Sequence, residues 1–163
     1  MWVGLFGIGG GEAMTTADKV AESNRIEGIT RPPTQAEIDE HERFMGLEKV
    51  TTKELLYFLR TYQPNAKLRS EIGMDVTVGG YRPPAGGEDV SMALWVLLVR
   101  VYYGEITPWN AHIEYEHLHP FMDGNGRSGR ALWYWMMARD GNKLSDLGFL
   151  HGFYYQTLEG GTR

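Results

Sequence analysis

The chain has 163 residues, of which 42% are hydrophobic and 23% charged, the balance of one soluble globular domain rather than a disordered or fibrous chain. Lys plus Arg number 16 against 21 Asp plus Glu, so the net charge of −5 argues against general nucleic-acid binding. The absence of cysteine excludes disulfides, thiolate catalysis and Cys-ligated zinc, and fits a cytoplasmic location. The longest apolar run, Met92–Val99, falls far short of the ~20 residues that cross a membrane, so no membrane partner is expected.

Residues 1–14, MWVGLFGIGGGEAM, read as a flexible leader, with Met14 as an alternative start. They contain G-x-G, but a dinucleotide fingerprint needs a preceding strand, which is missing. Thr15 or Thr16 caps a helix through Ala17–Glu27 that Gly28 stops. Thr34 with Glu37 and Thr51 with Glu54 are capping boxes opening the next two helices. Residues 74–84 break the helical period. Val76 and Val78 alternate with Thr77, Gly79-Gly80 makes a two-residue turn, and Pro83-Pro84 ends a small β-hairpin.

From Glu88 the run through Met92, Leu94, Trp95, Leu98 and Val99 predicts a central buried helix. Thr107-Pro108 opens another to about Leu118, and Pro120 pushes His119 out of helical geometry. A helix starts near Asn125, and a last one runs through Leu147, Leu150, Phe153, Tyr154 and Leu158 before a tail at 159–163. The expected fold is all-α with one small hairpin.

Chemistry concentrates in His119-Pro120-Phe121-Met122-Asp123-Gly124-Asn125-Gly126-Arg127-Ser128-Gly129-Arg130. Gly124 and Gly126 flank Asn125 at a helix start, where free amides and the dipole favour an anion. Arg127 and Arg130, three apart, leave one helix face beside those amides, an arrangement suited to a polyphosphate. Asp123 would repel that anion unless Mg²⁺, held by one carboxylate and phosphate oxygens, lies between them. His119, ordinarily neutral at pH 7, can take a proton from a hydroxyl. Taken singly, these are ordinary loop and surface residues. A calcium loop is excluded because its fifth and twelfth positions are Arg127 and Tyr134. Zinc is disfavoured because His112, His117 and His119 lack His-Glu-x-x-His spacing, and no P-loop is present.

The twelve residues resemble, at every specified position, the H-P-F-x-D-G-N-G-R-x-x-R signature of Fic-domain proteins, the adenylyltransferases or AMPylators. Ser23-Asn24-Arg25-Ile26-Glu27-Gly28 is similar to that family's inhibitory signature, [S/T]-x-x-x-E-[G/N]. Its position ahead of the core implies a class II, autoinhibited member. The resemblance implies an inhibitory helix at 15–29, a Fic core at 30–158, and transfer of AMP from ATP to a Tyr, Thr or Ser hydroxyl. His119 would then be the general base, Asp123 the Mg²⁺ ligand, and Asn125 with Gly124 and Gly126 the anion hole. Arg127 and Arg130 would grip the β- and γ-phosphates, Phe121 would anchor the loop, and Ser23 and Glu27 would inhibit. A flap at Val76, Thr77, Val78 and Gly79 would dock the target protein by strand addition. The same residues leave open AMP removal with Glu27 orienting a water, another nucleotide or phosphocholine donor, and nucleotide binding without turnover. A homo-oligomer also stays open. Tyr154 and Tyr155 are weak candidates near the nucleotide. Trp133-Tyr134-Trp135 either shapes the pocket or packs.

Overall fold

The computed structural model describes residues 12–160; most of the expected leader and residues 161–163 of the tail lie outside them. The described chain is mainly helical: α1 Thr16–Ile26, α2 Gln35–Met45, α3 Thr52–Arg60, α4 Glu88–Tyr102, α5 Pro108–Leu118, α6 Asn125–Arg139 and α7 Phe149–Gly160, with a 3₁₀ turn at Lys143–Leu147. Thr15 and Thr34 close full capping boxes with Asp18 and Glu37. Thr51 caps α3 through the Glu54 amide alone, because the Glu54 carboxylate is drawn away to Arg43 at 2.9 Å. Thr107 caps α5 with Pro108 as its first residue.

The central helix is α6, not α4. From Arg127 to Met137 every α6 residue is buried, including Trp133, Tyr134 and Trp135, so this aromatic run packs. The indoles of Trp133 and Trp135 donate to Gln156 Oε1 and the Leu47 carbonyl. By contrast α4 buries Val90, Leu94, Leu97, Leu98 and Val101 while Met92, Trp95 and Val96 face outward, since only one of its faces meets neighbours. Apolar composition alone could not distinguish these cases, and the polar first turns of α6 concealed its position.

Three further boundaries differ from expectation. Met14 is anchored by its amide to the Asp146 carbonyl at 2.8 Å. The last helix is broken by Gly148 at φ 92, where a side chain would collide with Met14 and Glu22, and α7 continues to Gly160 inside the expected tail. The hairpin is reduced to one reciprocal bridge. Val78 and Tyr81 exchange 2.9 Å hydrogen bonds around Gly79 (φ 57), and no strand forms among the described residues.

Arg69 ties that segment to the rest. Fully buried, it donates to the carbonyls of Met74, Pro84, Leu118 and His119 at 2.7–3.1 Å. Arg69→Met is expected to leave these buried acceptors unmatched and to lower stability by at least ~3 kcal/mol, as read by denaturant unfolding.

Candidate functional site

His119 follows the last residue of α5 in the left-handed region (φ 51, ψ 61), the one non-glycine residue with positive φ among those described. A residue before proline is ordinarily extended. Here its amide donates to the Tyr115 carbonyl (2.9 Å) and its carbonyl accepts from Arg69 Nε (2.7 Å), offsetting ~1–3 kcal/mol of backbone strain. Burial holds the imidazole pKa below 6.5; the Glu116 carbonyl raises it, Arg69 lowers it and Asp123 raises it. The ring is therefore neutral at pH 7, with Nδ1 sealed from solvent.

The loop then turns on Phe121, which is fully buried. Asn125 accepts from the Phe121 amide and donates to the Phe121 carbonyl, both at 2.8 Å. The Asn125 side chain thus staples the loop and is not turned toward an anion, because two backbone groups of a buried turn have no other partner. What remains for an anion is the backbone. Gly124, at φ 83, begins α6 with no side-chain cap, leaving first-turn amides without intrahelical acceptors. A Cβ at Gly124 would meet Leu59 Cδ2 at 2.5 Å, so only glycine fits. Asp123 is exposed at the rim, with Oδ1 accepting from the Gly124 amide.

The two arginines diverge. Arg130 turns to α1: Nε donates to Ser23 Oγ (2.8 Å), and Nη2 to the Ser23 carbonyl (3.2 Å) and Glu27 Oε2 (2.6 Å). The same Glu27 oxygen lies 2.8 Å from where a Cβ on Gly126 would stand, so a carboxylate occupies the surface of the first turn of α6. Arg127 turns inward over the Tyr62 ring (4.5 Å), with Nε and Nη2 buried and unpaired. It faces a narrow cleft of about 10 Å³, the space of one water, shared with Lys19, His41 and Tyr134.

Sequence reasoning missed two more residues. Glu22 accepts from the Phe149 amide at 2.7 Å and so caps α7, fixing α1 from its other side. Glu116 sits on α5 against Gly129, where a Cβ would lie 2.6 Å from its Oε1. Burial pushes its carboxyl up to about 7, Arg130 opposing and Glu27 adding to the shift. No local spacing marks either residue.

Val76 is half-buried and Thr77, Val78 and Gly79 are exposed, consistent with an accessible edge but without a strand. Tyr154 is exposed on α7. A surface cleft of about 580 Å³ between α2 and α3 is lined by Asp39, Glu40, Arg43 and Tyr57 and by no residue of the loop. At the loop, Ser23 and Glu27 lie against Arg130 and Gly126 at the start of α6.

For a metal, Asp123 is a single exposed carboxylate, and no cluster of three or more His, Asp or Glu side chains suited to a metal exists among the described residues. That donor set fits Mg²⁺ arriving with a polyphosphate, which supplies the remaining oxygens. No described helix is long and apolar enough to cross a membrane.

A 77-residue stretch is 38% identical to a protein from Drosophila willistoni named Protein adenylyltransferase Fic, covering 40% of this chain and 14% of that relative. Residues 107–137, from the Thr107 cap through the loop and most of α6, match the Fic/DOC family.

Proposed function

We propose that the chain is a protein adenylyltransferase that moves AMP from ATP to a Tyr, Thr or Ser hydroxyl of a target protein, held back by Glu27. The observation that carries this reading is a neutral histidine beside an uncapped helix N-terminus, whose arginine is paired with a carboxylate of α1. The target hydroxyl oxygen attacks the α-phosphorus, the new O–P bond forms in line, and the bond to the bridging oxygen breaks to release pyrophosphate. His119 Nε2 receives the hydroxyl proton, because Nδ1 is sealed in the loop. The α6 amides and Arg130, once Glu27 leaves, stabilise the charge on the phosphates. Mg²⁺ on Asp123 would neutralise the remaining oxygens. Phe121 and Asn125 act by holding the turn rigid.

Incubation with labelled ATP and MgCl₂ tests the reading: protein labelling supports it, and tight binding with no label on either the chain or a target rejects it in favour of a binding module. A second reading, removal of AMP, is favoured by the 39% exposure of the Glu27 side chain, which could hold a water beside the site. Release of AMP from a pre-modified protein would identify it.

The role of Asp123 has its own test. In Asp123→Ala the affinity for ATP is expected to lose its dependence on Mg²⁺ together with transfer, since one carboxylate no longer links metal and phosphate. An unchanged Mg²⁺ response in an ATP titration would reject the assignment.

A further inference from the structure

Two carboxylates lie beside Arg130 along α6, Glu27 against Gly126 and Glu116 against Gly129. Gly126 and Gly129, three residues apart, each leave space for one: a Cβ would stand 2.8 Å from Glu27 Oε2 at Gly126 and 2.6 Å from Glu116 Oε1 at Gly129. Glu27 makes the hydrogen bond and Glu116 does not. The side chain of Glu116 is 35% exposed, yet its Oε1 is shut off from solvent and has no hydrogen-bond partner. A buried acceptor left unmatched is costly, so a carboxyl persists there only where another state or role uses it.

We propose that Glu116 is the alternative carboxylate for Arg130, a positioning residue that takes the guanidinium when Glu27 is withdrawn. This deepens the proposed function and rests on it. Withdrawal of α1 removes the Ser23 Oγ, Ser23 carbonyl and Glu27 acceptors together. Arg130 would then lack these acceptors, and Glu116, against the adjacent Gly129, is the carboxylate already near enough to act on it. Nη1, beside Gly126, stays turned toward the first turn of α6, where the phosphate would lie. The exchange would hold Arg130 in place for the nucleotide instead of letting it fold into solvent.

The exchange is sensitive to pH. The groups facing Glu116 are His112 on its own helix, with Nε2 3.8 Å away, Tyr115 beside it, Arg130 on α6 and Glu27 on α1. Burial lowers the His112 pKa to about 4, so the imidazole is neutral at pH 7 and offers Glu116 no cation. As a neutral acid Glu116 does not compete for Arg130. Ionised, it attracts Arg130 and repels Glu27, so the hold of α1 weakens as pH rises through neutrality.

The test is a carboxyl-carbon NMR titration of Glu116, its signal assigned by loss in Glu116→Gln. In wild type the midpoint is expected near 7. In Glu27→Gly it should fall by about one unit or more, as the repelling charge goes and Arg130 becomes available. A wild-type midpoint in the ordinary Glu range of about 4.3, or one that does not move in Glu27→Gly, overturns the proposal. A second reading uses transfer itself: wild-type labelling should rise with pH through 7, and Glu116→Gln, nearly identical in shape, should flatten that rise. A rise of equal steepness in Glu116→Gln counts against the proposal. The titration needs no transfer activity, so absence of labelling would reject the proposed function while the midpoints still decide the role of Glu116.

Discussion

His119→Ala is expected to lower AMP transfer by ~10²–10⁴-fold while leaving ATP affinity nearly unchanged, the effect of removing a general base that does not hold the phosphates. The imidazole is placed for this by backbone groups that the substitution keeps: the Tyr115 carbonyl accepts from the residue's amide, and Arg69 donates to its carbonyl. The left-handed φ of 51 is tolerated less well by alanine than by histidine. His119→Asn therefore serves as the control, because Asn adopts that region readily yet cannot accept a proton at pH 7. Both variants should fail in transfer and bind ATP alike, as measured by labelling rate and by calorimetry. Since burial holds the His119 pKa below 6.5, the acid limb that remains in Glu116→Gln is expected below that value. Labelling by His119→Ala at the wild-type rate would remove this residue from the chemistry.

Glu27→Gly is the change of opposite sign. Glu27 stands just past the last residue of α1, where a carboxylate is unfavourable to the helix dipole by a few tenths to ~1 kcal/mol. Its compensation is the 2.6 Å bond to Arg130. The partners are unequally covered, with side-chain exposures of 39% for Glu27 and 6% for Arg130, so solvent screens the pair on one side. We therefore expect release worth about 2 kcal/mol, below the ~3–5 kcal/mol of a fully buried pair, or roughly thirtyfold faster labelling. Glu27→Asp, one methylene shorter, should restore inhibition only in part. Ser23 also binds Arg130 through its hydroxyl and carbonyl, so adding Ser23→Ala should increase labelling further. Equal labelling by wild type and Glu27→Gly at saturating MgATP would reduce Glu27 to an ordinary helix-end residue.

Much of this architecture was legible where the physics is local. Caps at Thr15, Thr34 and Thr107 follow from contacts three residues apart, and the structure has them. The loop from His119 to Arg130 carried its glycines and charges within twelve positions, and the glycines fall where positive φ or close approach requires them. Legibility failed where a distant partner decides. Thr51 has the spacing of a capping box, but Arg43 takes the Glu54 carboxylate. Arg127 and Arg130 have the spacing of a single face, but Tyr62 and Ser23 draw their guanidiniums apart. Arg69 bonds carbonyls about 50 positions away, and Glu22 caps a helix 127 positions away, so no local pattern could announce either. The helix α4 misled for another reason: hydrophobicity says that a face is buried, not how many faces are.

The most direct test gives the Glu27→Gly protein ATP labelled separately at the α- and the γ-phosphate, with MgCl₂, and follows the label into protein. Label is expected from the α-phosphate only, attached to a Tyr, Thr or Ser hydroxyl, with pyrophosphate released and the labelling lost in Glu27→Gly/His119→Ala. Label arriving from the γ-phosphate, or α-label that survives the loss of His119, would contradict it.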